Sequence, residues 1–410
     1  ERWWRNFPEP ILNELIETQS VRNLTIRMAQ ARVETARADY AVVSGQLFPT
    51  VGINGMPPTG TGRNINQLIA LTAAIDPDLF GRIRQNKQRT QANLKAEEAT
   101  HDFALIDLYA DIASSYIELR ENQGKTTVLL DNISRNRQSL RFIQARYKAG
   151  YNNYLHIAQQ EGLIETQLAD VEHYKAKTMA LVHKLELLTG NNPGSLAKKL
   201  LPPRSIPQIT NTINLGIPSA LLGRRGDIIA AEQSVQAAHA NIQVAMANLI
   251  PQVTIGWLLG WQTQTLASNL FALNNPDATL FGTFTAPIFN LSLYRTIDLR
   301  KREKIIAILN YQLTVMSALH EVETHYNYCL YYKNSDEHLK RALNKRRLVL
   351  KLSKETYQKG ASDFSAVLRA EEELNQVAFA SLQNMAVLQK AKINLYKALG
   401  GNVTVTVKNS

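Results

Sequence analysis

The chain repeats itself, and a duplicated unit of about 200 residues constrains the fold more than any single motif does. Val33, Ala36, Ala38, Leu47, Pro49, Val51 and Ile53 fall on Val235, Ala238, Ala240, Leu249, Pro251, Val253 and Ile255 at an offset of 202. Leu79-Phe80 meets Ile288-Phe289 at 209, and Tyr147-x-x-Gly150 meets Tyr357-x-x-Gly360 at 210. Leu188-Thr189-Gly190-Asn191 aligns with Leu399-Gly400-Gly401-Asn402 at 211. The order is kept while the offset drifts by small insertions. Two copies are too few for a solenoid.

Proline and glycine punctuate both copies alike. From Arg82 to Ala149 there is no proline and only Gly124; from Leu291 to Lys359 there is neither. Each stretch is long enough for a helix of roughly 100 Å. Leu105, Leu108, Ile112, Tyr116 and Leu119 recur at three- and four-residue steps, which predicts one buried face. A second helical run follows each glycine, Tyr151 to Leu188 and Ala361 to Leu399, so each copy ends in a long antiparallel helix pair turned near Gly150 or Gly360. A shorter helix, Leu24 to Leu47 or Ile228 to Leu249, opens each copy.

Between Pro251 and Pro287 the period switches to two. Val253, Ile255, Trp257, Leu259 and Trp261 alternate with Thr254, Gly256, Leu258, Gly260 and Gln262. Asn274-Asn275-Pro276-Asp277 marks a turn, and alternation resumes from Leu280 to Ala286. Thr50 to Gly55, a loop through Pro57-Pro58-Thr59-Gly60-Thr61-Gly62, and Asn66 to Ile75 form a weaker counterpart in the first copy. Each copy therefore reads helix, β-hairpin, long helix, long helix. One row of the 251–263 strand is bulky and apolar and the other small and mostly polar, which suits either half of a sandwich or a barrel strand with lipid on one side and a lumen on the other. The strand is long enough to span a bilayer, which takes roughly 9–11 residues. Four strands cannot close a membrane barrel, whose minimum is about eight, so a barrel needs several chains.

Composition excludes other classes. The single cysteine, Cys329, leaves no partner for an intrachain disulfide and no thiolate cluster. No run approaches the roughly 20 apolar residues of a membrane helix. The net charge of +11 is spread along helices and interleaved with acids. The basic stretches 82–89 and 340–347 lack the aromatics of a single-strand binder, so no nucleic acid partner is expected.

Three segments resemble the TolC/OprM-type outer-membrane efflux factors. Trp3-Trp4-Arg5-Asn6-Phe7-Pro8-Glu9-Pro10-Ile11-Leu12 is similar to the start of their mature chains. Asp78-Leu79-Phe80-Gly81-Arg82-Ile83-Arg84 resembles the motif joining their first hairpin to its helix. Ile217-Pro218-Ser219-Ala220-Leu221-Leu222-Gly223-Arg224-Arg225-Gly226-Asp227-Ile228 resembles their most specific motif, with Gly226 where proline is usual. The first hairpin loop is shorter than typical.

The resemblance implies a mainly α chain with a small β part. Its four strands contribute to a trimeric, twelve-stranded β-barrel in the outer membrane of a Gram-negative bacterium, above a periplasmic α-helical barrel. It implies a first repeat over 1–190 (hairpin about 50–76, helix pair about 82–190) and an equatorial linker over 191–222. A second repeat covers 223–401 (hairpin about 252–287, helix pair about 291–399), and an equatorial tail covers 402–410. It implies a homotrimer working with a periplasmic adaptor (membrane fusion) protein and an inner-membrane transporter, RND-type by the arginine-pair motif. The role implied is a passive exit duct for drugs or other small solutes, without cofactor or metal. Start and length place a signal peptide and any acylated cysteine before residue 1. A type I protein-secretion duct and a soluble long-helix scaffold are the alternatives.

Site expectations follow from the same resemblance. Gly150 and Gly360 are expected at the adaptor-docking tips, and Trp257 and Trp261 facing lipid. The periplasmic gate is expected at Tyr357, Arg369 and Glu372. The family carries an acid twelve residues after the motif tyrosine and, in one branch, an arginine three further on; here the two charges are exchanged. Residues at i and i+3 share a helix face, with Glu371 or Glu373 as further neutralising groups. Decoys are set aside on geometry. His320 and His325 are five apart, about 140° around a helix, and cannot reproduce a zinc-protease pair. Asp227 in Arg225-Gly226-Asp227 reads as a helix cap. No nucleophile can be paired with a base by spacing, so no catalytic residue is assigned and no enzyme is expected.

Overall fold

The computed structural model describes residues 3–59, 64–150, 153–209, 223–265 and 277–401, with backbone alone at 18–20, 56–59, 64–69, 261–265 and 277. The whole 210–222 part of the expected linker, which holds the motif segment 217–222, the 274–276 turn, the loop 60–63 and the tail 402–410 lie outside the described residues. The described elements are α1 (Pro10–Glu14), α2 (Leu24–Gly45), β1 (Thr50–Thr59), β2 (Asn64–Ile75), α3 (Arg82–Lys148), α4 (Tyr154–Leu188), α5 (Ala197–Leu200), α6 (Gly226–Ala247), β3 (Gln252–Thr265), β4 (Asp277–Thr285), α7 (Leu291–Gln358) and α8 (Phe364–Ala398). The chain is mainly α, and the repeated order of short helix, hairpin and two long helices is present in both copies.

Two compact units each draw on both copies. One comprises Ala29–His101 and Gly226–Val315. It holds a single antiparallel sheet in the order β1-β2-β3-β4, so the two hairpins lie side by side and β1 and β4 form its outer edges. The junction from β2 to α3 explains the Asp78-to-Arg84 motif. Asp78 takes a positive φ of 47°, and its carboxylate accepts the amides of Ile83 (2.7 Å) and Arg84 (2.9 Å). These are amides that a helix start otherwise leaves unpaired. Gly81, at φ 74°, completes the turn, and Arg82 pairs with Asp76 at 3.0 Å.

The other unit comprises Glu1–Met28, Asp102–Arg225 and Met316–Ser410. The C-terminal parts of α3 and α7 pack here with α4 and α8, and Ile112, Tyr116 and Leu119 lie in its core as their spacing predicts. The opening segment is part of the same core. Trp3 stacks on Tyr396 with ring centroids 5.5 Å apart, and Trp4 meets Tyr109 edge-on at 4.9 Å. Arg120 is fully buried, and among the described residues no carboxylate pairs with it. Its guanidinium donates to the carbonyls of Leu200 (3.2 Å) and Pro202 (2.9 Å), to Gln123 (2.6 Å) and to the Tyr116 hydroxyl (2.7 Å). It thereby ties the segment after α5 to α3. Burial, only partly offset by this guanidinium, pushes the Tyr116 hydroxyl up to about 12.

Past α4 the sequence alignment needs one correction. α4 ends at Leu188 and α8 at Ala398, and the left-handed glycines that follow are Gly190 (φ 67°) and Gly400 (φ 77°). The offset is therefore 210 here, not 211, because the helix ends set the correspondence. The loop after Gly190 is held by Glu186, a buried carboxylate accepting the amides of Gly194 and Leu196 (both 2.9 Å) and facing His183 Nδ1 at 3.0 Å. Burial alone would raise its pKa, but the Leu196 amide, His183 and the Gly194 amide outweigh it and the net shift is downward. A lowered folded pKa gives stability that is complete above the unfolded value of about 4.3 and lost as pH falls through the folded one. Below about pH 4, the protection of the Gly194 and Leu196 amides, measured as exchange relative to the intrinsic rate at each pH, should therefore fall. In Glu186→Gln the same exchange should be fast already at neutral pH and lack this pH step.

Candidate functional site

Strand register sorts the side chains of the whole sheet onto two faces, since opposed residues share a face. Ile53 opposes Leu71, Leu71 opposes Leu259, Ala73 opposes Trp257, and Trp257 opposes Leu280. Val253 opposes Phe284. This face is apolar across all four strands and open to the surroundings, with Trp257 39% and Leu280 75% exposed. Trp261 sits in register on the same row, opposite Ile69, but its side chain lies outside the described residues. The other face is mostly small and polar. On it Asn54 donates to Thr72 Oγ1 (2.8 Å), and Thr72 donates to the Gly52 carbonyl (3.2 Å). Phe281 is its largest ring and covers Gly256, where a Cβ would collide with it. An uninterrupted apolar face of this extent is what a soluble chain avoids.

At the far turn of each helix pair stands a left-handed glycine, Gly150 at φ 79° and Gly360 at φ 74°. The Gly360 amide donates to Tyr357 O (3.0 Å), and that of Ala361 to Thr356 O (3.0 Å), a glycine-terminated helix end. A Cβ at either glycine would meet open space, so both turns are surface features. Asn153 and Asp363 then cap α4 and α8 at matching places.

Tyr357 does not line an opening in this chain. It is buried, 8% exposed, in a cluster with Ile143, Ile157, Phe364 and Val367, under the Arg146 guanidinium at 5.4 Å. It braces the turn by packing on Phe364 at 5.2 Å. Its counterpart Tyr147 packs on Tyr154 at 6.0 Å and is exposed.

Arg369 and Glu372 both lie exposed on α8, within one turn of each other. Among the described residues they make no ion pair with each other, and Glu372 accepts from Gln376 at 3.4 Å. The flanking acids are engaged across the helix pair, Glu371 with Lys354 at 2.7 Å and Glu373 with Arg346. Among the described residues, Glu372 is the one of the three consecutive glutamates that makes no ion pair with α7.

His320 is exposed, while His325 is half-buried against Tyr328 at 6.0 Å, with its pKa lowered by burial. Asp227 falls inside the first turn of α6 and accepts the Ile228 amide at 2.9 Å, a first-turn acid and not the residue before the helix. Arg120 and the acidic pairing of α8 with α7 escaped sequence reasoning. Contacts between distant helices leave no local pattern, although a lone arginine on an apolar helix face was a usable signal for the first.

A chain that exposes an apolar four-stranded sheet and carries helices of 67 and 68 residues is a protomer of a membrane-inserted channel, not a soluble bundle. It belongs to the outer membrane efflux protein family, whose sequence model matches residues 15–191 and 217–401. It is 26% identical to the pyoverdine export outer membrane protein OpmQ of Pseudomonas putida, over 98% of this chain and 88% of that one. The identity to the cation efflux system protein CusC of Escherichia coli is also 26%, over 97% and 88%. The fold superposes on the outer-membrane channel OprN with a TM-score of 0.91 at 27% identity, covering 98% and 92% of the two chains. For a crystal structure of CusC the values are 0.88 and 25%, covering 97% and 94%. The protein is an outer-membrane efflux channel, and the soluble-scaffold alternative falls with that finding.

Burial of Tyr357 and exposure of Tyr147 should separate the two in stability. Tyr357→Ala leaves a void in a packed cluster and should cost about 3 kcal/mol, whereas Tyr147→Ala should cost less than about 1 kcal/mol. Limited proteolysis between Lys359 and Phe364 should quicken in the first variant only.

Proposed function

We propose that three copies of this chain close one twelve-stranded barrel in the outer membrane and form a passive duct for small solutes. The carrying observation is the four-stranded sheet with one apolar face and two outer strands, β1 and β4, that need partners. Lipid cannot satisfy a bare strand edge, and each unpaired amide in hydrocarbon costs several kcal/mol. Four strands per chain reach the minimum of about eight only by sharing. Trp257 and Trp261 then face lipid, and the polar row with Thr72 and Asn54 faces the lumen. Relatives named for pyoverdine, toluene and cation export point to drugs, metals or other small solutes as cargo, with selection made elsewhere.

Power comes from an inner-membrane transporter of the RND type, joined through a periplasmic adaptor that docks at the turns bearing Gly150 and Gly360. Both turns are open to a partner and rigidly capped, which favours that role. The gate lies near Arg369 and Glu372, whose side chains are free to meet across a three-fold axis, with Tyr357 as the brace that positions α8. Ion pairs this exposed are worth only about 0–1 kcal/mol each, so three of them bias the closed state without locking it.

Detergent extracts should contain a trimer by light scattering, and a monodisperse native monomer would overturn the shared barrel. In vesicles of brominated lipid, tryptophan emission should be quenched. Trp257→Phe with Trp261→Phe should abolish that quenching and leave the emission of Trp3 and Trp4. In planar bilayers Glu372→Gln should raise single-channel conductance, and Arg369→Asp should shift selectivity toward cations, both effects fading at high salt. Parental conductance and selectivity in both variants would remove these residues from the gate.

A further inference from the structure

We propose that a groove between α3, α6 and α7 binds a small organic acid carrying at least two negative charges. The groove has a volume of about 400 Å³ and lies within the unit that holds the sheet. Gln88, Gln91 and Lys95 line it from α3, Gln236 and His239 from α6, and Lys304 from α7. Among the described residues no carboxylate lines it. The inference stands apart from the shared barrel, because the groove is formed within one chain.

Other cations on the same long helices spend their charge on acids. Arg82 pairs with Asp76, Arg84 with Asp78, Arg89 with Asp39 and Arg300 with Glu303. Lys95 and Lys304 form no ion pair among the described residues. Solvated lysines need no partner in themselves, but these two converge on a hollow and one of them is pinned there. Lys304 Nζ lies 3.4 Å from His239 Nδ1. An ammonium can only donate, so Nδ1 accepts and the ring proton sits on Nε2, where it is a further donor. Gln88, Gln91 and Gln236 are exposed and add amide N–H groups. The lining is therefore rich in donors and positive in charge. The groove is far roomier than a bare inorganic anion needs and falls in the size range of small-molecule sites.

The first copy of the repeat shows what the second has given up. Lys95 and Lys304 are equivalent, at the offset of 209 that also relates the helix starts Arg82 and Leu291. The counterparts of Gln236 and His239, 202 residues earlier, are Glu34 and Arg37. There Arg37 meets both Glu34 (3.0 Å) and Glu98 (3.4 Å), so that surface is neutralised from within the chain. In the second copy Gln236 stands in the place of Glu34 and Ala307 in the place of Glu98. Both acids are gone while the lysine is kept, and Glu303 beside it is engaged by Arg300 at 2.8 Å. An external carboxylate would restore the balance that the first copy achieves internally.

The test is equilibrium dialysis of radiolabelled citrate against the purified, detergent-solubilised channel at low ionic strength. Saturable binding of one citrate per chain is expected, weakening as salt is added. Lys95→Gln and Lys304→Gln should each weaken it roughly tenfold, the loss of one hydrogen bond to a charged group. Gln236→Glu, which restores the acid of the first copy, should weaken it at least as much with both lysines in place. Lys301→Gln, an equal change of charge outside the groove, should leave it unaltered. All four positions are on the surface of their helices, and melting curves matching the parent would show that the variants fold. Inorganic phosphate should compete roughly tenfold less well than citrate. Phosphate competing as well as citrate would overturn the organic-acid assignment. Absence of citrate binding, or binding that survives Lys95→Gln with Lys304→Gln, would overturn the site.

Discussion

A backbone amide in hydrocarbon must find its hydrogen-bond partner within protein, and one copy of this sheet cannot provide it at β1 or β4. The rest of the β region follows from that requirement. The two hairpins lie side by side, so that β2 and β3, from different copies of the repeat, satisfy each other along ten residue pairs from Asn64 to Ile75. The side chains answer to the same setting. The row through Trp257 and Leu280 can tolerate lipid, while the row through Thr72 and Gly256 can tolerate water. Gly256 shows how tight the second row is, since its missing side chain is the space that Phe281 occupies.

Duplication is closed by one joint made twice with different chemistry. Asn23 donates to the carbonyl of Leu188 at 2.7 Å, and Arg225, its counterpart 202 residues on, donates to Ala398 at 3.0 Å. In both copies the segment entering the first helix is thus tied to the end of the returning one. Gly190 packs against the carbonyl of Arg22 and Gly400 against that of Arg224, so closely that a Cβ would collide. Both glycines therefore answer to a steric demand as well as to their left-handed backbone. The second joint buries a charge, which is costly unless paired. Glu321 on α7 meets it at 2.8 Å and the Phe103 ring lies 5.7 Å away.

Much of this was legible in the sequence. Element order, the long helices and the alternating strand at Trp257 came through because periodicity and punctuation are local properties. Strand pairing between the copies was not legible, because alternation fixes which face a residue takes and not which strand it opposes. Tyr147 and Tyr357 show the limit most plainly. The same motif tyrosine appears in both copies, yet one is exposed and one buried, because the partner seven residues on is Tyr154 in the first copy and Phe364 in the second. Arg369 and Glu372, the proposed gate residues, fall on one exposed face of α8 as their spacing predicts, but whether they meet across copies is a property of an assembly that no single sequence displays.

The two helix pairs differ in what holds them, and the difference bears on where a channel of this kind can yield. Where α7 and α8 carry Arg346, Lys354, Glu371 and Glu373, the corresponding positions of α3 and α4, 210 residues earlier, are Asn136, Gln144, Glu161 and Leu163. Arg369 and Glu372 correspond to Gln159 and Gly162. The first pair is joined by amide contacts instead, with Asn136 donating to Gln167 at 3.0 Å and Gln160 donating to the Asn136 carbonyl at 3.2 Å. These are buried and insensitive to salt. The Arg346–Glu373 link is close to half exposed, the kind of contact that contributes about 0–1 kcal/mol and weakens as ions screen it. A barrel built from both pairs thus has one wall fixed by buried neutral hydrogen bonds and another fixed in part by solvated charge. A movement that opened the proposed gate would then cost less where it exchanges the exposed Arg346–Glu373 link of α7 and α8 than where it breaks the buried amide contacts of α3 and α4.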